Sequence, residues 1–188
     1  MVYFFLETFK AGKITSSGVI KFLENTWIEQ ELNRNYNNQR VSVSPIELIK
    51  SPINLFIKEL NTWKENAGYN PEIIPITDSL VLKVEALLRY FCDRIGINTF
   101  RLRDDGLVME LNLDEILAAL EHKSNRETNF LEEDRRFIKY NLSEKAGENL
   151  RNKIADGLMD SFEYSIDKTI IAFTIIMRLS KYKFKNVS

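Results

Sequence analysis

Apolar residues recur every three or four positions over most of this chain, the pattern of helices that each lay one face on a core. In SSGVIKFLENTWIEQELN the stripe is Val19, Phe22, Leu23, Trp27 and Ile28, with Ser16 or Ser17 placed to cap it. Ser51-Pro52 opens a second helix, with Ser51 at the cap and Pro52 at the first helical position, where its missing N–H is no loss. Its stripe is Ile53, Phe56, Ile57, Leu60 and Trp63, and Gly68 is the natural stop. The clearest stripe is Leu80, Val84, Leu87, Leu88, Phe91 and Ile95, in a helix that Asp78 caps and Gly96 ends. Val81 and Leu82 stand off it and predict a second contact for the first turn.

Further along the period changes. INTFRLRDDGLVMELN alternates apolar and charged residues around Asp105-Gly106, which predicts a short hairpin or an extended loop with a tight turn. Helices follow over 113–121, capped by Asn112, and over 130–141, joined by the polar connector HKSNRETN. Another starts near Glu148 with the stripe Leu150, Ile154 and Leu158. The last, over 163–182, is apolar on several sides, from Ile166, Ile170 and Ile171 to Phe173, Ile175, Ile176, Met177 and Leu179. Such a helix is either central or a subunit interface. By contrast, the asparagine-rich stretch at 33–44 reads as a polar loop.

Composition sharpens the fold class. All four prolines lie within the first 75 residues, and seven glycines are few for 188 residues. The expectation is an all-α fold: a helical bundle over 76–184, an extra N-terminal helical segment over 1–75, and one short hairpin. Lys and Arg number 26 against 27 Asp and Glu, a net charge of −1, so any steering of a charged ligand must come from a local patch. The single cysteine, Cys92, excludes an internal disulfide and reads as a small buried hydrophobe. One histidine and one cysteine exclude a zinc cluster, and the acids of LEEDRR alternate with arginines on a solvated face, so no metal or cofactor is expected. MVYFFLETFK is too short for a signal-peptide core, and TIIAFTIIM falls far below the roughly 20 residues of a membrane helix. No membrane segment and a cytoplasmic location are expected.

The chemistry concentrates in GENLRNKIADGLMDS, residues 147–161. On a helix Asn152 and Asp156 share a face, being four apart. Arg151 stands about 140° from Asp156 at about 100° per residue. Those two share a cleft only where the helix end bends or a second subunit completes it. Spacing alone favours structural roles, with Arg151 paired to Glu148 or Glu144 and Asp156 facing solvent. Glu85 and Arg89, four apart, read by themselves as a surface ion pair.

Taken together, LRNKIADGLM, KVEALLRYF and GINTFRLRDDG resemble HEPN-type domains over about residues 70–182. More narrowly, they are similar to the helical C-terminal domain of a poorly characterised bacterial and eukaryotic family carrying L-R-N-x-x-A-H-G-L. The resemblance implies a helical bundle that pairs with a second copy, so that two Arg-x4–6-His motifs meet in one cleft. It also implies a metal-independent endoribonuclease lineage of toxin–antitoxin and anti-phage systems. Arg151 then matches the motif arginine and Asn152 its polar neighbour, while Glu85 or Arg89 lines the same cleft.

The side chains suit the reaction. RNA cleavage through the 2′-OH needs an acid or base near neutral pH and a cation for the crowded phosphate charge. Histidine, titrating near about 6.5, suits the first role and the planar fork of arginine the second. Here Asp156 stands in the histidine position. Aspartate is a weak base at neutral pH, has no proton to give and repels a phosphate. Losing one acid–base group costs about 10²–10⁴-fold, so cleavage is expected to be strongly reduced or absent. The only histidine, His122, ends LAALEH among charged neighbours and reads as a solvated side chain.

Two local cues point to nucleic acid: Arg101 and Arg103 in RLR, and Lys181, Tyr182 and Lys183 in KYKFK, whose aromatics are of types that stack on bases. The leading expectation is therefore a ribonuclease-related homodimer, paired through the motif helix and the last helix, with RNA as ligand. The rival is a non-catalytic protein–protein interaction module. A working Arg151–Asn152 pair predicts a positively charged dimer cleft; the rival predicts an Arg151 tied up in local salt bridges.

Overall fold

A computed structural model describes residues 1–36, 39–66, 68–127 and 130–184, without the side chains of 34–36, 40 and 122–127. Among the described residues the chain is mostly helical. The helices are α1 (Val2–Lys10), α2 (Ser16–Leu23), α3 (Ile46–Glu65), α4 (Ile73–Arg94), α5 (Leu113–Glu127), α6 (Glu132–Leu142), α7 (Leu150–Ala155) and α8 (Ile166–Ser180). Two antiparallel hairpins interrupt them, β1 (Leu32–Tyr36) with β2 (Gln39–Val43), and β3 (Phe100–Leu102) with β4 (Val108–Glu110).

The axle of the bundle is α4, packed by α3, α5, α7 and α8. Every residue of its expected stripe is buried, as is Val81, whereas Leu82 is exposed. Alongside it runs α8, whose surplus apolar sides are used inside the protomer: Ile170, Phe173, Ile175, Ile176 and Leu179 are all buried. Its polar positions are also matched, since the hydroxyls of Thr77 and Thr169 share a hydrogen bond of 2.7 Å between the two helices. Phe5 of α1 meets Phe173 edge-on at 5.4 Å, and Trp27 donates from Nε1 to the Leu179 carbonyl at 2.8 Å. One hydrophobic cluster therefore runs from Phe9 to Tyr182, across both sides of residue 75.

Several boundaries differ from the expected ones. Helix α4 begins at Ile73, so Asp78 is not a cap; it lies within the helix and accepts a 2.6 Å bond from the Tyr164 hydroxyl. Pro75 falls in the first turn, where its missing N–H costs nothing. Helix α3 begins at Ile46 and runs through Pro52. A proline inside a helix costs about 3 kcal/mol, and here Ile46, Ile49 and Pro52 are all buried on the packed side, which offsets it. Thr15, not Ser16 or Ser17, caps α2, its Oγ1 accepting from the Gly18 amide at 3.1 Å.

The expected polar loop contains the β1–β2 hairpin, whose register begins Leu32↔Val43. The alternation of Val41 and Val43 with serines was its strand signal. Helix α5 runs on through the expected connector to Glu127. Its cap is as expected: Asn112 Oδ1 accepts from the Glu115 amide at 3.0 Å, and Glu115 accepts from the Asn112 amide in return at 2.8 Å. The hairpin around Asp105-Gly106 also forms. No helix among the described residues is long and apolar enough to cross a membrane.

Candidate functional site

The motif helix is short, and the chain before it fixes its place. Gly147 is pressed against α6: a Cβ there would stand 2.0 Å from the Tyr140 carbonyl oxygen. That same oxygen accepts from the Glu148 amide at 3.1 Å. Asn149 then caps α7 in the left-handed region, at φ 52° and ψ 33°. Asparagine tolerates that region better than most residues because its amide bonds locally. Its Oδ1 accepts from Asn152 Nδ2 at 2.8 Å, and Leu150, fully buried, anchors the first turn.

At the other end the helix stops at Ala155. Gly157 turns the chain back at φ 67°, and the Leu158 amide reaches the Lys153 carbonyl at 2.7 Å. Leu158 is thus thrown off the expected stripe and is 68% exposed, whereas Ile154 packs on the core. Asp156, at the helix end, is exposed.

Arg151 binds neither Glu148 nor Glu144; those carboxylates approach Lys168 at 4.0 Å and Lys139 at 3.9 Å. Its Nε donates instead to Glu85 Oε2 on α4, at 2.7 Å. The other oxygen of Glu85 accepts from Arg89 Nη2 at 2.8 Å. Arg89 also donates to the Leu111 carbonyl, and its Nη1 stands 3.5 Å from Glu110 Oε2 without a hydrogen bond. On the other side, Arg151 Nη1 donates to Asn152 Oδ1 at 3.3 Å, and Asn152 Nδ2 reaches the Ser143 carbonyl at 3.3 Å.

Glu85, Arg89, Arg151 and Asn152 thus form one bonded network in which the side chains of Glu85, Arg89 and Arg151 are 13%, 15% and 26% exposed. Its charges balance, two arginines against Glu85 and Glu110. Asp156 takes no part in the network. Sequence spacing flagged all four network residues. It did not identify Glu85 as the partner of Arg151, because that contact spans 66 residues.

The remaining cations are mostly engaged. Arg101 pairs with Glu115 of α5, and Arg103 with Asp105 at 3.4 Å. Lys181 bonds the buried carboxylate of Asp134 at 2.7 Å, which also accepts from Arg178 at 2.8 Å and from the Tyr182 hydroxyl. Burial alone would raise the Asp134 pKa, but these donors outweigh it and hold the carboxyl below its usual range. Burial, and then the bond to Asp134, push the Tyr182 phenol up.

Tyr182 is therefore not the stacking residue that the sequence suggested. It is buried, with its ring 5.3 Å from Phe91 and 5.2 Å from Phe130. Lys183 is exposed, on the rim of an open groove of about 940 Å³ that also touches Trp27, Arg94 and Phe184. The side chain of His122, and Lys185 at the end of KYKFK, lie outside the described residues. Among those described, no group of three His, Cys, Asp or Glu side chains is placed to hold a metal ion.

Compared with protein-family models, with curated proteins and with solved structures, the chain matches none.

Proposed function

We propose that this chain is a ribonuclease-related domain of HEPN type, working as a homodimer, whose own cleavage site is silent and whose retained role is to bind RNA or a protein partner. A prokaryotic defence or toxin system is the setting that this reading implies. One observation carries it: the two strings that resemble the family, far apart in sequence, supply one bonded network, Glu85 and Arg89 from the first and Arg151 and Asn152 from the second. Arg151 is the cation for phosphate charge, Asn152 holds it on α7, and Glu85 sets its direction. The acid–base position is Asp156, exposed beside this network and chemically unsuited to the role.

The test is RNA cleavage by the chain as written, by Asp156→His, and by Asp156→His with Arg151→Ala, each checked for folding by circular dichroism. Cleavage by Asp156→His alone supports the reading. Three folded, inert proteins retire it.

The second reading, a non-catalytic interaction module, is favoured by the engagement of Arg151. Its guanidinium is held by Glu85 at 2.7 Å in a charge-balanced setting, which is what a purely structural arginine requires. Under that reading Glu85, Arg151 and Asn152 serve to lock α7 onto α4.

A further inference from the structure

The β3–β4 hairpin carries its apolar side outward. Facing residues of an antiparallel pair share a face. The register Phe100↔Glu110, Arg101↔Met109 and Leu102↔Val108 therefore puts Phe100, Leu102, Val108 and Glu110 on one face, and Arg101 and Met109 on the other. The second face is turned to the bundle, with Arg101 paired to Glu115 of α5 and Met109 half-buried. The first is open: Phe100 is 48% exposed, Leu102 75% and Val108 68%, with Leu107 beside them at 60%. A hairpin resting on a core in water shows the opposite pattern. Single exposed apolar side chains are ordinary, but four on one short hairpin mark an interaction surface.

This face adjoins the candidate site. Glu110, at its base, approaches Arg89 at 3.5 Å, and Arg89 leads through Glu85 to Arg151. Just past α7, Leu158 and Phe162 are also exposed, at 68% and 83%. Allowing roughly 200 Å² for a fully exposed large apolar side chain, the four hairpin residues offer on the order of 500 Å² per copy, or about 1,000 Å² across two copies, the lower bound for a specific interface. The border of the hairpin carries both signs, Arg101 and Arg103 against Asp104, Asp105 and Glu110. Neither a polyanion nor a polycation is selected by such a border. An apolar strip edged by both signs is self-complementary under a two-fold axis.

We propose that the outward face of the β3–β4 hairpin docks on a second copy of this chain, forming a two-fold homodimer with the Arg89–Glu85–Arg151 network at the edge of the contact. This rests on the proposed reading only in taking the domain to work in pairs. Removing water from beside that network strengthens its ion pairs and fixes Arg151 further.

The deciding measurement is molar mass in solution, by light scattering, across the micromolar range. The chain should run at twice 22.0 kDa. Leu102→Glu with Val108→Glu should weaken the dimer on the order of a hundredfold or more, giving a monomer with unchanged helical dichroism. Phe4→Glu, at an apolar site 78% exposed on α1, should leave the dimer intact. Mild oxidation of Leu102→Cys should cross-link two copies, because the one native thiol, Cys92, is buried.

A monomeric chain overturns the proposal, as does a dimer that survives the hairpin substitutions or one that Phe4→Glu dissociates. The same masses measured on Asp156→His separate the two ideas. A hairpin-dependent dimer that cuts no RNA keeps this interface and retires the ribonuclease; a monomer that cuts retires the interface and the pairing and keeps the ribonuclease.

Discussion

The carboxylate of Glu85 bridges two arginines, taking Arg151 Nε of α7 at 2.7 Å on one oxygen and Arg89 of its own helix on the other. All three side chains are less than a third exposed, so solvent screens the contact only in part. Replacing the carboxylate by an amide leaves two partly buried cations with only the largely exposed Glu110, 3.5 Å from Arg89, as counter-charge. Glu85→Gln should therefore cost about 2 kcal/mol of stability in urea unfolding. Glu85→Gln combined with Arg151→Gln should cost less than the sum of the single changes, by about 1 kcal/mol. Strict additivity would mean that the pair holds nothing together.

Asp156 lies at an exposed helix end, where a change of side chain meets little resistance. Asp156→His should shift stability by less than about 0.5 kcal/mol. On the proposed reading its effect on RNA cleavage is far larger, a gain of about 10²–10⁴-fold over the chain as written. The rate should change with pH around the ordinary histidine value of about 6.5, because the new group titrates there. A gain independent of pH between 5.5 and 7.5, roughly the span over which a histidine titrates, would count against an acid–base role.

Legibility followed the range of the forces. Helix stripes such as Leu80, Val84, Leu87, Leu88 and Phe91 were readable because burial imposes a local period, and every one of them is buried. Starts were less readable. Asp78 and Ser51 are good caps by residue type, yet apolar residues upstream of each were buried and drew the helix past them. At the site, spacing found Arg151 and Asn152 but offered Glu144 and Glu148 as partners because they are near in sequence. Tyr182 shows the same limit: an aromatic between lysines suits stacking on bases, but the phenol is claimed by Asp134, 48 residues away. Pairings across the bundle are tertiary facts, and the local pattern does not carry them.

Gly147 and Asn149 position the motif in different ways, and substitution should separate them. Alanine at 147 puts a Cβ within 2.0 Å of a backbone oxygen, which no rotamer change relieves. Gly147→Ala should cost about 3 kcal/mol or unfold the α6–α7 corner, seen as faster amide exchange through α7. Asn149→Ala keeps the left-handed φ of 52° without the side-chain bond to Asn152, and should cost about 1–2 kcal/mol. Asn149→Gly removes the backbone strain and should fall between wild type and alanine. Equal losses for alanine and glycine would place the whole effect in the lost bond.

Asp134 joins α6 to the end of α8 and makes stability depend on acid. Its carboxylate is buried and accepts from Arg178, Lys181 and Tyr182. Its folded pKa lies below its unfolded value of about 3.9, so its contribution is complete above that value and is lost as pH falls through the folded one. Glu132, held at about 2 by Arg135 and Arg136, and Glu59 and Glu163, also lowered, act in the same direction. The share of Asp134 is therefore read by difference. Asp134→Asn should cost about 3 kcal/mol at neutral pH, the low end for a broken buried pair because the Lys181 ammonium is 43% exposed. The gap between wild type and variant should stay constant from pH 7 to 5, then narrow below about 4. A gap that widens on acidification would mean that the folded carboxyl titrates above its unfolded value, and that burial outweighs the three donors.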